Sequence, residues 1–136
     1  MNLLLDTHIW LWALLEPERL SSKAAAMLAA EGTRRWLSPL SVWEALILIE
    51  RRRVEVDRPG DAWVREALLR APVTEAPITT EVAFAARAIR GTHRDPVDRF
   101  LAATAQVFEL TLVTSDVQLL AMKGFAVLPN RTRAAR

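Results

Sequence analysis

The chain contains no cysteine. That excludes disulfides, zinc–thiolate sites and thiol catalysis, and it is compatible with a reducing cytoplasm. Histidine is nearly absent, with only 2, at His8 and His93. Glycine is scarce as well, with 4 in all. No Gly-rich loop is therefore available to cradle a nucleotide phosphate, and no Gly-x-Ser-x-Gly supports a serine triad. Long apolar runs are missing: none approaches the roughly 20 residues of a membrane span. Met1-Asn2-Leu3 opens without basic residues and the acid Asp6 follows at once, a pattern unlike a signal peptide. A cytoplasmic protein without a membrane segment is expected. There is no internal repeat and no low-complexity stretch.

What remains is a compact, arginine-rich domain. The 136 residues, 51% of them hydrophobic, suit a single core. Net charge is only +2, yet the pI is near 9.9. The basic residues are uneven: Arg51-Arg52-Arg53, then Arg87, Arg90, Arg94 and Arg99, and last Arg131, Arg133 and Arg136. Such patches suit phosphate contacts. Each run taken alone also fits a solvated helix face. Residues 1–129 read as one domain and residues 130–136 as a basic C-terminal tail.

Hydrophobic periodicity and caps lay out the elements. Leu3–Leu5 predicts a buried strand, and residues 7–16 a helix that Thr7 can cap and Pro17 ends. A helix follows from Ser21-Ser22 to Glu31, with Gly32 as its stop. Residues 35–38 predict a short strand. Ser41 to Arg53 predicts a strong helix opened by a Ser-x-x-Glu capping box, with a short extension at 54–56. Residues 60–70 are helical up to Pro72, and residues 73–76 form a weak strand. Thr79 or Thr80 caps a helix to about Ile89, residues 91–94 form a loop, and Asp95-Pro96 starts a helix to about Phe108. Residues 110–114 are a strand, 116–122 a short helix and 126–128 a last strand. Strands alternating with helices imply a parallel sheet with right-handed crossovers. The expected architecture is a three-layer α/β/α domain with a central, mainly parallel sheet.

Four acids fall where a short apolar run gives way to a helix: Asp6, Glu44, Asp98 and Asp116. In a parallel α/β sheet the carboxyl ends of the strands share one edge, and ligands bind there. Carboxylates gathered at that edge repel one another, and an oxygen-seeking divalent cation such as Mg²⁺ relieves them. Each acid also has a plain structural use. Asp6 can cap a helix, although Thr7 can do so too, and a carboxylate ending a buried strand needs something to offset its desolvation. Glu44 can complete the capping box begun by Ser41. Asp95 can cap the helix after it, which leaves Asp98 in the first turn to face the sheet edge or complement the helix dipole. Ser115 can cap the helix after 115 and free Asp116 for a metal, while Thr114 and Ser115 hydroxyls can hold a metal-bound water.

Other residues offer less. His8 reads as helix surface or as a donor behind Asp6, and His93 as a loop residue or a general base. The 5 tryptophans read mainly as core or interface. Trp12 is the one candidate for stacking on RNA bases. An apolar helical surface built from Trp10, Trp12, Leu14 and Trp36 could receive a partner helix, or be ordinary core.

Taken in order, four segments resemble a PIN domain, and specifically the toxin nuclease of a VapBC-type toxin–antitoxin pair. They are Leu3-Leu4-Leu5-Asp6-Thr7-His8, Ser38-Pro39-Leu40-Ser41-Val42-Trp43-Glu44, the stretch from Asp95-Pro96-Val97-Asp98-Arg99 to Ala105, and Leu112-Val113-Thr114-Ser115-Asp116. The resemblance spans residue 2 to about residue 129. It implies an endoribonuclease dependent on Mg²⁺ or Mn²⁺, acting on RNA of the transfer or ribosomal class. It also implies a homodimer and a small cognate antitoxin with which a larger complex forms. By motif, Asp6, Glu44, Asp98 and Asp116 are the metal-site acids. Ser115, Thr7 and Asp95 are possible helpers, and Arg99 and Arg94 are placed to meet phosphate. The fourth acid varies within the family, so Asp116 can act directly or through a water. A catalytically silent PIN-like module that binds RNA or protein is the alternative, and the retained acids speak against it.

Overall fold

A computed structural model describes residues 1–89 and 95–131. Five strands form one sheet: β1 (Asn2–Leu5), β2 (Arg34–Leu37), β3 (Thr74–Glu75), β4 (Thr111–Thr114) and β5 (Ala126–Pro129). Their order across the sheet is β3-β2-β1-β4-β5, and every pairing is parallel. Seven helices flank it among the described residues: α1 (Thr7–Leu15), α2 (Ser22–Ala29), α3 (Pro39–Glu50), α4 (Gly60–Arg70), α5 (Thr80–Ala88), α6 (Pro96–Val107) and α7 (Val117–Ala121).

Side chains on a strand alternate between faces, and β1 divides its leucines accordingly. Leu3 and Leu5 pack with α1 residues Ile9, Trp10 and Leu11, with α2, and with α3 and α4 through Ala45 and Val64. Leu4 turns to the other face, where it meets Leu101, Ala102 and Ala105 of α6 and Leu119 of α7. Helix α5 packs on α6 through Val82, Ala86 and Ala103. Two helical layers therefore enclose a sheet whose central strand is buried from Leu3 to Leu5, which is the three-layer architecture expected. No helix among the described residues is long and apolar enough to cross a membrane.

Among the described residues the expected strands and helices are present, the loop expected at 91–94 lies outside them, and the caps of three helices differ from the expectation. Ser38 caps α3, its Oγ accepting from Leu40 N at 3.1 Å, and Pro39 takes the first helical position. A proline there has no N–H to lose, so the helix starts before Ser41 and the expected capping box does not form. Asp6, not Thr7, caps α1, and Asp116, not Ser115, caps α7. Helix α3 ends at Glu50, and residues 54–56 do not extend it. Helix α2 stops at Ala29, and Gly32 turns the chain into β2 at φ +83°, a conformation that L side chains rarely adopt. Asn130 lies with the domain rather than the tail: it is buried, and its N–H donates to Thr114 O at 2.8 Å, continuing the sheet edge.

Candidate active site

From β1 the chain builds outward through β2 to β3, and from β4 it builds the opposite way to β5. The strand order thus reverses between β1 and β4, and the crevice at such a reversal, outside the carboxyl ends, is where open α/β sheets bind ligands. Asp6 follows β1 directly and Asp116 stands two residues beyond β4. The backbone joins them, since Asp6 N donates to Val113 O at 3.1 Å.

One hydroxyl connects the two acids. Thr114 Oγ1 donates to Asp6 Oδ2 at 2.7 Å and accepts from Asp116 N at 3.0 Å. Asp6 Oδ1 accepts from Thr7 N at 2.8 Å, so this carboxylate is fixed on both oxygens. Each oxygen still has a lone pair to spare for a ligand. Asp6 is only 8% exposed. Burial raises its carboxyl above the usual 3.8; the Thr114 hydroxyl, the Thr7 amide and the His8 charge oppose that rise, and the Glu44 charge adds to it. A buried carboxylate pushed towards its neutral form, with a second carboxylate felt nearby, is the electrostatic condition that a cation relieves.

Glu44 stands in the second turn of α3, half-buried. With the cap at Ser38, its structural use as the third residue of a capping box disappears. Asp98 occupies the third position of α6 and is 8% exposed, while Asp95 is exposed and caps the helix, its Oδ1 accepting from Val97 N at 3.0 Å. The Asp95 cap is the one expected from Asp-Pro-x-Asp. Asp116 is half-buried, and its Oδ1 accepts from Gln118 N at 2.8 Å and Leu119 N at 3.4 Å. Ser115 is half-buried and takes no part in that cap.

Among the described residues no three His, Asp or Glu side chains lie close enough to hold an ion as they stand. The donor chemistry nevertheless fits one. The candidate acids offer only oxygen, the preference of Mg²⁺, which also keeps several of its waters. Thr7 Oγ1 and Ser41 Oγ are buried hydroxyls without a hydrogen-bond partner. Thr7 adjoins Asp6 in the chain and Ser41 lies one turn before Glu44. Ser41 escaped the sequence reading because the capping-box pattern had already given its hydroxyl a use. Thr114 was legible only as a holder of water, since the contact to Asp6 depends on the pairing of β1 with β4.

The remaining candidates divide. Arg99 was expected at a phosphate, but its Nε and Nη2 donate to Ala86 O at 3.1 and 2.7 Å, and Nη2 also to Ile89 O at 2.8 Å. These carbonyls end α5, where a guanidinium satisfies groups the helix leaves open. Arg94 and His93 lie outside the described residues. His8 is exposed, with its ring 5.8 Å from that of Trp12. Arg19 covers Trp12, its guanidinium carbon 4.6 Å from the ring centre, so that ring is not an open platform for a base. The four residues read as one apolar surface separate. Trp10 is core, and Trp36 stacks on Phe108 across the sheet from Trp12 and Leu14.

Replacing Thr114 with valine keeps the shape and removes the hydroxyl. Asp6 Oδ2 then loses its donor and Asp116 N its acceptor, which should cost about 1–3 kcal/mol. The Asp6 carboxyl rises further above 3.8. A raised acid stabilises the fold most at low pH and loses that contribution as pH climbs to the folded-state value. The penalty should therefore be larger near pH 7 than near pH 4 in urea unfolding. An equal penalty at both would show that Thr114 does not act through the Asp6 charge.

The family model for the PIN domain matches residues 3–124. The chain is 33% identical over 119 residues to Ribonuclease VapC22 of Mycobacterium tuberculosis, an alignment covering 87% of this chain and 89% of that protein. Among solved structures it is similar to VapBC2 from Rickettsia felis bound to a promoter DNA fragment. That match has a TM-score of 0.74 at 14% identity, over 96% of this chain and 100% of that one. It is also similar to DNA-bound VapBC from Salmonella typhimurium, with a TM-score of 0.68 at 21% identity, over 95% and 98% of the two chains. At these identities the structural likeness speaks for the fold.

Proposed function

The chain belongs to the PIN-domain family, and from that premise we propose that it is the toxin of a type II toxin–antitoxin pair, an endoribonuclease that hydrolyses RNA phosphodiester bonds with the help of Mg²⁺ or Mn²⁺. The observation that carries this reading is the buried Asp6 carboxylate at the strand-order reversal. It is fixed on both oxygens and pushed up by burial and by Glu44.

Asp6, Glu44, Asp98 and Asp116 would hold one or two ions. A divalent ion supplies a water acidic enough to attack phosphorus near neutral pH and positive charge against the leaving 3′ oxygen. Asp6 is the fixed member of the set. Glu44 and Asp116 are half-buried, and Asp116 Oδ1 is engaged by the amides at the start of α7. Thr114 keeps Asp6 and the Asp116 turn in register, which limits the reorganisation needed when substrate arrives. Attack by water needs no neighbouring 2′-hydroxyl, so preference for RNA comes from shape, and single-stranded loops of transfer or ribosomal RNA present the accessible phosphates.

The antitoxin reading draws on the relatives, several of which are described as VapBC complexes. The surface around Leu15 suits a partner helix. One cavity there, of about 380 Å³, is lined by Leu11, Trp12, Arg19, Arg53 and Val54, and a second, of about 220 Å³, by Leu14, Trp63, Arg58 and Arg70. A homodimer, and a larger assembly with antitoxin, complete the proposal.

The test is incubation of total RNA with purified, antitoxin-free protein, with Mg²⁺, with Mn²⁺ and with EDTA. Discrete, metal-dependent products are expected, and sequencing their ends identifies the target. A folded protein that binds RNA but never cleaves it would instead be the silent binding module.

A further inference from the structure

A cavity of about 630 Å³ opens at the carboxyl end of β5, lined among others by Glu18, Ser21, Ser22, Lys23, Pro129 and Arg131. Pro129 pairs with Thr114, so the cavity shares the sheet edge that carries Asp6. Two strand spacings separate them, about 10 Å. Its wall is built rather than incidental. The buried Asn130 side chain accepts from Ser21 N at 2.6 Å and donates to Arg19 O at 3.1 Å, which clamps the start of α2 to the end of β5. Lys23 and Arg131 both line this cavity, and neither joins an ion pair among the described residues. Two cations and one acid, Glu18, leave the lining net positive, which suits an anion.

We propose that this cavity is a backbone-phosphate subsite, held by Lys23 and Arg131, for the RNA strand whose scissile bond lies at Asp6. The inference rests on the ribonuclease reading and adds a direction to it, with the strand running from β1 across β4 to β5. RNA is favoured over an acidic protein because the lining has no aromatic anchor of the kind that holds protein partners. Glu18 is the one acid in the lining and opposes the subsite.

The test measures anisotropy of a labelled single-stranded RNA on Asp6→Asn protein across a salt series. Lys23→Ala and Arg131→Ala should each weaken binding about threefold to tenfold at low salt, whatever the RNA sequence. Each should also flatten the slope of log affinity against log salt by about 0.7. Glu18→Gln should tighten binding. Unchanged affinity and slope in both cation variants overturns the subsite. So does loss of poly-glutamate binding in those variants while RNA binding holds, because the cavity would then serve a protein. Cleavage by the otherwise unmodified chain separates the two readings. If it never cleaves RNA but the cation variants lose RNA affinity, the nuclease reading fails and the subsite stands.

Discussion

Asp6→Asn should abolish RNA cleavage and, with metal removed, leave the protein more stable than the unmodified chain near pH 7. The activity should fall by about a thousandfold or more, the scale on which loss of one member of a cooperating catalytic set acts. The stability effect follows from the acid's position. Asp6 is raised from 3.8, with burial the largest cause. In the folded state the group holds its proton to higher pH than in the unfolded chain, so stability declines as pH rises from about 3.8 to the raised value and then stays low. Asparagine removes that decline. It also preserves the local bonds: Oδ1 remains for Thr7 N, and Nδ2 can donate to Thr114 Oγ1, which has a second lone pair. Cleavage assays and urea titrations on the same preparation test both halves. Normal cleavage by the variant would mean that the metal site has been misassigned. Lost cleavage with lost stability would mean that Asp6 serves the fold more than the chemistry.

The second large effect concerns the ion. Adding Mg²⁺ or Mn²⁺ to metal-free protein should raise its melting temperature, because a ligand that binds only the folded state stabilises it by mass action, about 2.7 kcal/mol at a hundredfold excess over Kd. For a domain of this size that is a shift of roughly 5–15 °C. Relief of the repulsion that raises Asp6 is part of the gain, so the shift should be largest where Asp6 is ionised and fade towards low pH. Asp6→Asn and Asp98→Asn should each show a much smaller shift. Equal shifts in the unmodified and substituted proteins would place the ion elsewhere.

The fold was legible because its signals are local. Three leucines before Asp6, the Asp-Pro opening of α6 and the apolar run into Thr114 each state an element without help from distant chain. Helix starts were legible only in part. Ser38-Pro39 and Ser41-x-x-Glu44 are both valid openings three residues apart, and the proline decided between them by fitting where no N–H is required. The reversal of strand order depends on which strands neighbour β1, and spacing does not reveal that. For the same reason the Thr114 contact to Asp6 and the Asn130 clamp on α2, each spanning more than a hundred residues, had no sequence signature. Arg99 was expected to meet phosphate because it follows Asp98, and spacing did not reveal that its own helix also brings it to the open end of α5.

Asp6 and Asp116 both cap helices, and asparagine caps a helix about as well as aspartate. A single-nucleotide change from an aspartate to an asparagine codon at either position would therefore keep the helix cap, and at Asp6 it should end cleavage without unfolding the chain. A cell under attack from such a toxin can disarm it without producing a misfolded protein, and the disarmed chain would still occupy antitoxin.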